Sequence, residues 1–302
     1  MSTVTPLYFL SGPTASGKTT VAHHLAERLN LRLLSVDSMM VYRGMDIGTA
    51  KPTAEEISRY DYAGVNLIDA GTPFSTGKWL RAICEQLDER PTLAVGGTGL
   101  YYRALIDGLT PESTRDQKHR SRSVEELQKE IRQRNPEVLQ QLADPENQRR
   151  LERALAWLES GQTPPRMWAE RAGFPLPVLR RPTEILNERI EQRIRVMFQT
   201  GLLKETQTLL NAGALTGTAA QAIGYQEAQA VIHQTCTLEQ AITQLATRTR
   251  RYAKRQRTWF RNQMDARWVD VENEHSTELI ADKVAGLWED TGPFLFEHPV
   301  ND

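Results

Sequence analysis

Along the first hundred residues, short apolar runs alternate with stretches whose apolar positions recur at helical spacing. The first run, residues 7–11, stops at Gly12 and Pro13, and residues 18–29 then carry Val21, Ala22, Leu25 and Leu29 on one helix face. Residues 31–36 predict a second strand ending at Asp37, and residues 92–95 a third ending at Gly96 and Gly97, each followed by a helical segment. Strands that alternate with helices form a mostly parallel sheet covered on both faces, so the expected fold class is α/β.

From about Arg115 the pattern changes. Residues 125–134, 137–142 and 148–159 predict short, highly charged helices, punctuated by Asn135-Pro136, Asp144-Pro145 and Gly161. Leu179 is expected to return the chain to the sheet; residues 184–200, 202–211 and 238–261 predict further helices, and residues 266–271 a late strand. Thr237 and Gln240 carry the capping-box signature at the head of the longest helix. The expected organisation is a core of residues 1–114 and 182–302, interrupted by a small helical insertion domain at 115–181.

A formal net charge of -1 over 302 residues gives no overall attraction to nucleic acid or anionic membrane, so any polyanion must be held by locally concentrated charge. The two cysteines, Cys84 and Cys236, lack the paired spacing of a metal or redox site and are expected to be buried thiols. Residues 1–6 lack the features of a secretory signal, and no run approaches the roughly 18 apolar residues of a membrane span. A soluble, cytoplasmic, monomeric protein without a membrane partner is expected.

Gly12, Pro13, Thr14, Ala15, Ser16, Gly17, Lys18 and Thr19 fit the P-loop pattern, placed between a strand and a helix as that pattern requires. Backbone N–H groups of such a loop turn inward around an anion, the helix N-terminus adds its positive dipole, and Lys18 adds a full charge. Thr19 can offer its hydroxyl to a bound Mg²⁺. The expected fold is thereby P-loop NTPase-like, and Gly12, Thr14, Ala15, Ser16, Gly17, Lys18 and Thr19 are the candidate phosphate-binding residues. The loop reads phosphate oxygens and leaves the rest of the ligand free, so a kinase and a diphosphate-releasing transferase look alike here.

Ligands of parallel α/β sheets sit beyond the C-terminal strand ends, which nominates Asp37 and Thr98 as groups facing the cradle. Asp37 is either a proton acceptor for a nucleophile or a helix cap or surface ion pair. Thr98 either donates to a phosphate oxygen or spends its hydroxyl as an N-cap. His23 and His24 follow the loop without a metal-spaced partner and are expected to be structural.

One helix concentrates Arg248, Arg250, Arg251, Lys254, Arg255, Arg257 and Arg261 without an acid among them. Arg250, Lys254, Arg257 and Arg261 share a face at helical spacing, while Leu245, Tyr252 and Phe260 can turn toward the core. That face is either a phosphate-binding surface, with Lys254 and Arg257 at its middle, or a solvated one. Arg149, Arg150 and Arg153, with Arg115, Lys118, Arg120 and Arg122, form a second basic group on the insertion.

Taken together, the P-loop at 12–19, the run Asp-Ser-Met-Met-Val-Tyr-Arg-Gly-Met-Asp-Ile-Gly-Thr-Ala-Lys-Pro at 37–52 and Gly-Gly-Thr-Gly-Leu-Tyr at 96–101 closely resemble the bacterial tRNA dimethylallyltransferases, also called isopentenyl-tRNA transferases. Arg-Arg-Leu-Glu-Arg-Ala-Leu at 149–155, Gln-Ala-Ile-Gly-Tyr at 221–225 and Tyr-Ala-Lys-Arg-Gln at 252–256 extend the likeness over nearly the whole chain. The run at 46–52 is far more specific to that family than the P-loop. The resemblance implies transfer of a dimethylallyl group from dimethylallyl diphosphate to an adenine in the tRNA anticodon arm, with Mg²⁺ as cofactor at Thr19. It implies that Asp37 is the general base, that Lys18 and Thr98 act at the diphosphate, and that Asp37, Ser38, Met39 and Met40 grip the target nucleotide. Arg120, Arg149, Arg150, Leu151, Glu152 and Arg153 match positions that touch tRNA, so the insertion is expected to contact it. Met40 stands where many members carry Gln, Asn147 where Asp is usual, and Val65-Asn66 where a His pair is found. No Cys and His array follows Cys236, and no zinc is expected.

Three rivals stay open on the residues alone: a small P-loop kinase, which leaves the basic helix unexplained; a prenyltransferase for free adenine nucleotides; and a non-catalytic RNA-binding protein, which has no use for a diphosphate site.

Overall fold

The computed structural model describes residues 3–109, 122–142, 144–161, 172–272 and 276–298. Its chain divides into two compact units, Met1–Gly108 with Glu170–Asp302, and Leu109–Ala169.

In the larger unit, strand β1 (Val4–Ser11) leads through the glycine loop into helix α1 (Lys18–Leu29), followed by β2 (Arg32–Val36). A two-stranded ribbon, β3 (Tyr42–Arg43) with β4 (Ile68–Asp69), encloses α2 (Ala54–Arg59); α3 (Thr76–Gln86), β5 (Thr92–Gly96) and α4 (Gly99–Asp107) complete the first half. Helices α5 (Val124–Arg134), α6 (Pro136–Gln141) and α7 (Gln148–Glu159) belong to the smaller unit. The chain re-enters the larger unit at β6 (Ala172–Arg180) and continues through α8 (Thr183–Thr200), α9 (Leu202–Asn211), α10 (Tyr225–Ile232), α11 (Leu238–Gln263), β7 (Met264–Asp270), α12 (Thr277–Thr291) and β8 (Phe294–Glu297).

The sheet order is β2-β5-β1-β6-β7, parallel throughout, with β8 added antiparallel along Val4 to Leu7 of β1. Alternation along the strands explains the two covered faces. Leu7, Phe9, Leu34, Val36 and Ala94 point to one side, where Tyr102, Ile190 and Phe260 close the core. Leu10, Leu33, Leu93 and Val95 point to the other, where Val21 and Leu25 of α1 meet Ile280, Val284 and Trp288 of α12. The site therefore sits beyond the strand ends of a sheet buried on both faces.

One strand and the two cysteines differ from their expected form. The returning strand begins at Ala172, well before Leu179, inside the stretch expected to be helical insertion. Pro175 and Pro177, which donate no backbone hydrogen bond, disguise it; the strand survives because β7 pairs along its length while β1 meets it only at Val178. Cys84 and Cys236 are half-buried free thiols, and burial pushes the Cys84 thiol up to about 11.

The smaller unit has its own core of Leu127, Ile131, Val138, Leu151, Ala154 and Leu155. Ser123 and Glu126 form a capping box at α5, and Asn147 caps α7 by accepting the Arg150 amide at 3.3 Å. An Asn at position 147 thus performs the capping that an Asp would. Among the described residues, no helix is long and apolar enough to cross a membrane.

Candidate active site

The loop between β1 and α1 alternates backbone hand, with Ala15 at φ 64° and Gly17 at φ 93°, a conformation that turns successive N–H groups toward one point. α1 has no side-chain cap and no acid in its first turn, so its leading N–H groups remain available to an anion. Ser16 is fully buried, and its hydroxyl has no hydrogen-bond partner among the described residues. Lys18 donates to Pro13 O at 3.5 Å. Its ammonium is pushed down to about 8, by burial first and by the Arg193 charge second, against the opposing pull of Asp37.

The loops after β2 and β5 are knitted together beside this cradle. Thr98 N–H donates to Val36 O at 3.1 Å, and Ser38 N–H donates to Thr98 Oγ1 at 3.1 Å. Thr98 stands at the head of α4 without making a side-chain cap, so its hydroxyl serves the junction of the two loops. Asp37 accepts the Met39 amide on Oδ1 at 2.9 Å. Tyr252 is in hydrogen-bond contact with the Thr98 and Gln256 side chains; burial, with Asp37 next, raises its phenol against the opposing pull of those contacts. Gln256 bridges the loops, donating Nε2 to Gly97 O at 2.9 Å and accepting the Thr14 amide on Oε1 at 2.9 Å. A Cβ on Gly97 would come within 2.2 Å of Gln256 Nε2, which accounts for glycine there.

Three arginines clasp the cradle. Arg181 Nε donates to Ser16 O at 2.8 Å, Arg189 Nε to Ala15 O at 2.9 Å, and Arg193 Nη1 to Thr14 Oγ1 at 3.4 Å. Burial lowers Arg193, with Asp37 opposing. These arginines and Gln256 were not among the candidates from sequence. Arg189 and Arg193, one helical turn apart on a predicted helix, were the available signal.

Lys18, Thr19, Asp37, Ser38, Met39 and Met40 line a cavity of about 750 Å³ together with Thr14, Arg193 and Tyr252. Apolar side chains of Ile190, Ile194, Met197 and Leu245 form part of its wall. Met40 is oriented by Ser35, whose hydroxyl donates to the Met40 sulfur at 3.5 Å. From the basic helix, Arg248, Arg251 and Arg255 line the cavity. The face expected to meet phosphates is turned elsewhere: Arg250 pairs with Glu191, Arg257 donates to Thr183, and Lys254 is exposed outside the cavity. In the smaller unit, Arg149 and Arg150 are exposed, Arg153 is half-buried, Glu152 accepts from Gln148, and Leu151 is fully buried in the helical core. Arg120 lies outside the described residues.

Among the described residues no cluster of three His, Cys, Asp or Glu side chains could hold a metal. A hard cation that keeps its waters and takes most ligands from a phosphate needs only one or two protein oxygens. Thr19, exposed and lining the same cavity as Asp37, carries a hydroxyl that fits that demand. His23, stacked on Tyr60 and in contact with Tyr62, is part of the packing of α1.

Known proteins match this arrangement. The family model described as IPP transferase covers residues 40–263, and one described as Isopentenyl transferase covers residues 5–63. The chain is 36% identical over 294 residues to tRNA dimethylallyltransferase 2 of Geotalea uraniireducens, covering 90% of this chain and 94% of that one. It is 35% identical over 298 residues to tRNA dimethylallyltransferase of Bacillus subtilis, covering 92% and 95%. The crystal structure of the full-length tRNA isopentenylpyrophosphate transferase from Bacillus halodurans superimposes with a TM-score of 0.68 at 34% identity, over 95% of this chain and 97% of that one. A parallel sheet ending in an anion cradle, the shared cavity beside it and likeness over nine-tenths of the chain lead to one assignment: the chain belongs to the IPP transferase family, as a tRNA dimethylallyltransferase.

Proposed function

We propose that the protein transfers a dimethylallyl group from dimethylallyl diphosphate to the N6 amine of the adenine 3′ of the anticodon in tRNA, releasing diphosphate. The observation that carries the site assignment is that the phosphate cradle at Lys18 and the carboxylate of Asp37 open into one cavity. The target base leaves the anticodon loop and enters this cavity, a cheaper extrusion from a single strand than from a duplex. Its N6 lone pair forms the new bond to C1 of the dimethylallyl group while the C1–O bond to diphosphate breaks, and the amine proton passes to Asp37.

Charge then accumulates on the departing diphosphate. The loop amides, Lys18 and the arginines that clasp the loop stabilise that charge more in the transition state than in the ground state. Thr19 would hold a Mg²⁺ ion, which would supply further neutralisation of that charge when bound. The five-carbon chain lies against Ile190, Ile194 and Met197, and RNA phosphates meet Arg248, Arg251 and Arg255 at the cavity and Arg149 and Arg150 on the smaller unit. This reading also explains a P-loop in an enzyme that consumes no ATP. The protein works in the cytoplasm, with its RNA.

Purified protein incubated with Mg²⁺, labelled dimethylallyl diphosphate and either unmodified tRNA or AMP tests the reading. Label is expected in tRNA; label in AMP alone identifies a free-nucleotide prenyltransferase, and no transfer to either sinks the proposal.

A further inference from the structure

Residues 46–52 carry none of the reacting groups assigned above, although Gly48, Thr49, Ala50, Lys51 and Pro52 line the cavity that holds them. Their backbone nevertheless builds a second anion nest, filled by the chain itself. The amides of Asp46 and Ile47 donate to Glu205 Oε2 at 2.9 and 2.8 Å, and that of Gly48 donates to Oε1 at 3.0 Å. Tyr225 donates its hydroxyl to the same Oε1 at 2.7 Å. Three successive N–H groups around one anion form the concavity that phosphates occupy in other proteins. The Tyr225 ring presses so closely on Gly48 that a Cβ there would come within 2.6 Å of it.

The other end of the run is pinned by a cation. Lys51, its side chain 1% exposed, donates to Asp46 Oδ1 at 2.6 Å, Tyr42 O at 2.6 Å and Asn66 Oδ1 at 2.7 Å. All three ammonium hydrogens are thereby used within the wall. Ala50, Lys51 and Pro52 line both the 750 Å³ cavity and an adjoining one of about 730 Å³, and Lys18, Thr19 and Arg193 also line both. The run is thus a partition facing the cradle across the space where the diphosphate must lie.

We propose that Glu205 is a positioning residue for the transfer reaction: its carboxylate fixes residues 46–48 and so sets the distance between the 48–52 wall and the Lys18 cradle. The inference rests on the transferase reading. A carboxylate is required because it only accepts; a carboxamide would turn an N–H₂ toward amides that also donate. Displacement of a substrate-positioning wall by about 1 Å is enough to cost on the order of a hundredfold in rate.

The test compares Glu205→Gln and Tyr225→Phe with a control, Thr206→Val, which removes a buried hydroxyl bond from the same helix without touching the wall. Thermal midpoints, kcat and KM for tRNA and dimethylallyl diphosphate, and amide exchange at residues 46–48 are measured below every midpoint. Expected for Glu205→Gln is a kcat lower by about ten- to a hundredfold, with KM for tRNA unchanged and faster exchange at 46–48. Tyr225→Phe, which keeps the carboxylate, is expected to lose less, and Thr206→Val is expected to keep kcat at a comparable midpoint. A Glu205→Gln protein with wild-type kcat, or one whose loss matches that of Thr206→Val, overturns the inference. Wild-type protein that transfers no label to tRNA sinks the transferase reading instead; unchanged exchange at 46–48 in Glu205→Gln then still overturns the lock.

Discussion

Gln256 accepts the backbone amide of Thr14 while its other carboxamide atom donates to Gly97, so one side chain on α11 sets the gap between the phosphate loop and the loop that bears Thr98. Removing it by Gln256→Ala strands two polar backbone groups at a site where the glutamine is 6% exposed. Each such loss costs about 1–3 kcal/mol. A lower thermal midpoint and weaker binding of inorganic diphosphate by calorimetry are expected together; a change in midpoint alone would confine Gln256 to packing.

Asp37→Asn keeps the shape of the turn at Met39 but removes the carboxylate proposed as the base. Turnover is expected to fall by roughly 10² to 10⁴, the usual worth of a general base, with tRNA affinity nearly intact. Single-turnover transfer and filter binding separate the two quantities.

With burial pushing the free Lys18 ammonium down to about 8, its charge is expected on the cradle below that pH and is lost above it. An anion that binds the protonated form raises this pKa. Its affinity should therefore fall by about tenfold per pH unit above 8, until the pKa of the complex is passed. Calorimetry of inorganic diphosphate between pH 7 and pH 10 checks the slope, with Lys18→Gln as the reference that removes the titration of the ligand itself.

Arg251 and Arg255 line the cavity, whereas Lys254 and Arg257 do not. Neutralising Arg251 and Arg255 to Gln is expected to reduce the log-log salt dependence of tRNA binding by about one for each RNA phosphate left without its arginine. The pair Lys254→Gln and Arg257→Gln should change it less; the reverse ranking would place the RNA on the other face of α11.

Gly99 abuts Trp259, where a Cβ would stand 1.9 Å from the indole. Gly99→Ala forces the ring aside and is expected to destabilise the fold by about 1–3 kcal/mol, with an altered tryptophan emission spectrum. Equilibrium denaturation followed by fluorescence measures both.

The local parts of this architecture were legible. Val21, Ala22 and Leu25 marked the inner face of α1, and the glycine spacing at 12–17 marked the loop before it, because a helix face and a tight turn are written in adjacent residues. Asp37 and Thr98 followed from the rule that parallel strands present their C-terminal ends to ligands. Gln256 and Arg181 were illegible because their partners lie far away in sequence and no periodicity encodes them. The core-facing side of α11 was legible, since Leu245 and Phe260 pack where their spacing put them; which of its arginines reach the cavity was not, because those at 248, 251 and 255 and the basic residues at 250, 254, 257 and 261 both satisfy helical spacing. Four-residue β8 was too short to stand out from its surroundings, and the prolines of β6 argued against a strand that exists.

The cradle occupies residues 12–19, yet Arg181 reaches Ser16 across 165 positions of chain and Gln256 reaches Thr14 across 242. A ribosome has made the glycine loop long before it makes the side chains that stiffen it, and pairings so distant in sequence form late in folding. The growing polypeptide thus carries the motif without its support, and on the proposed reading tight capture of diphosphate is deferred until α11 has docked.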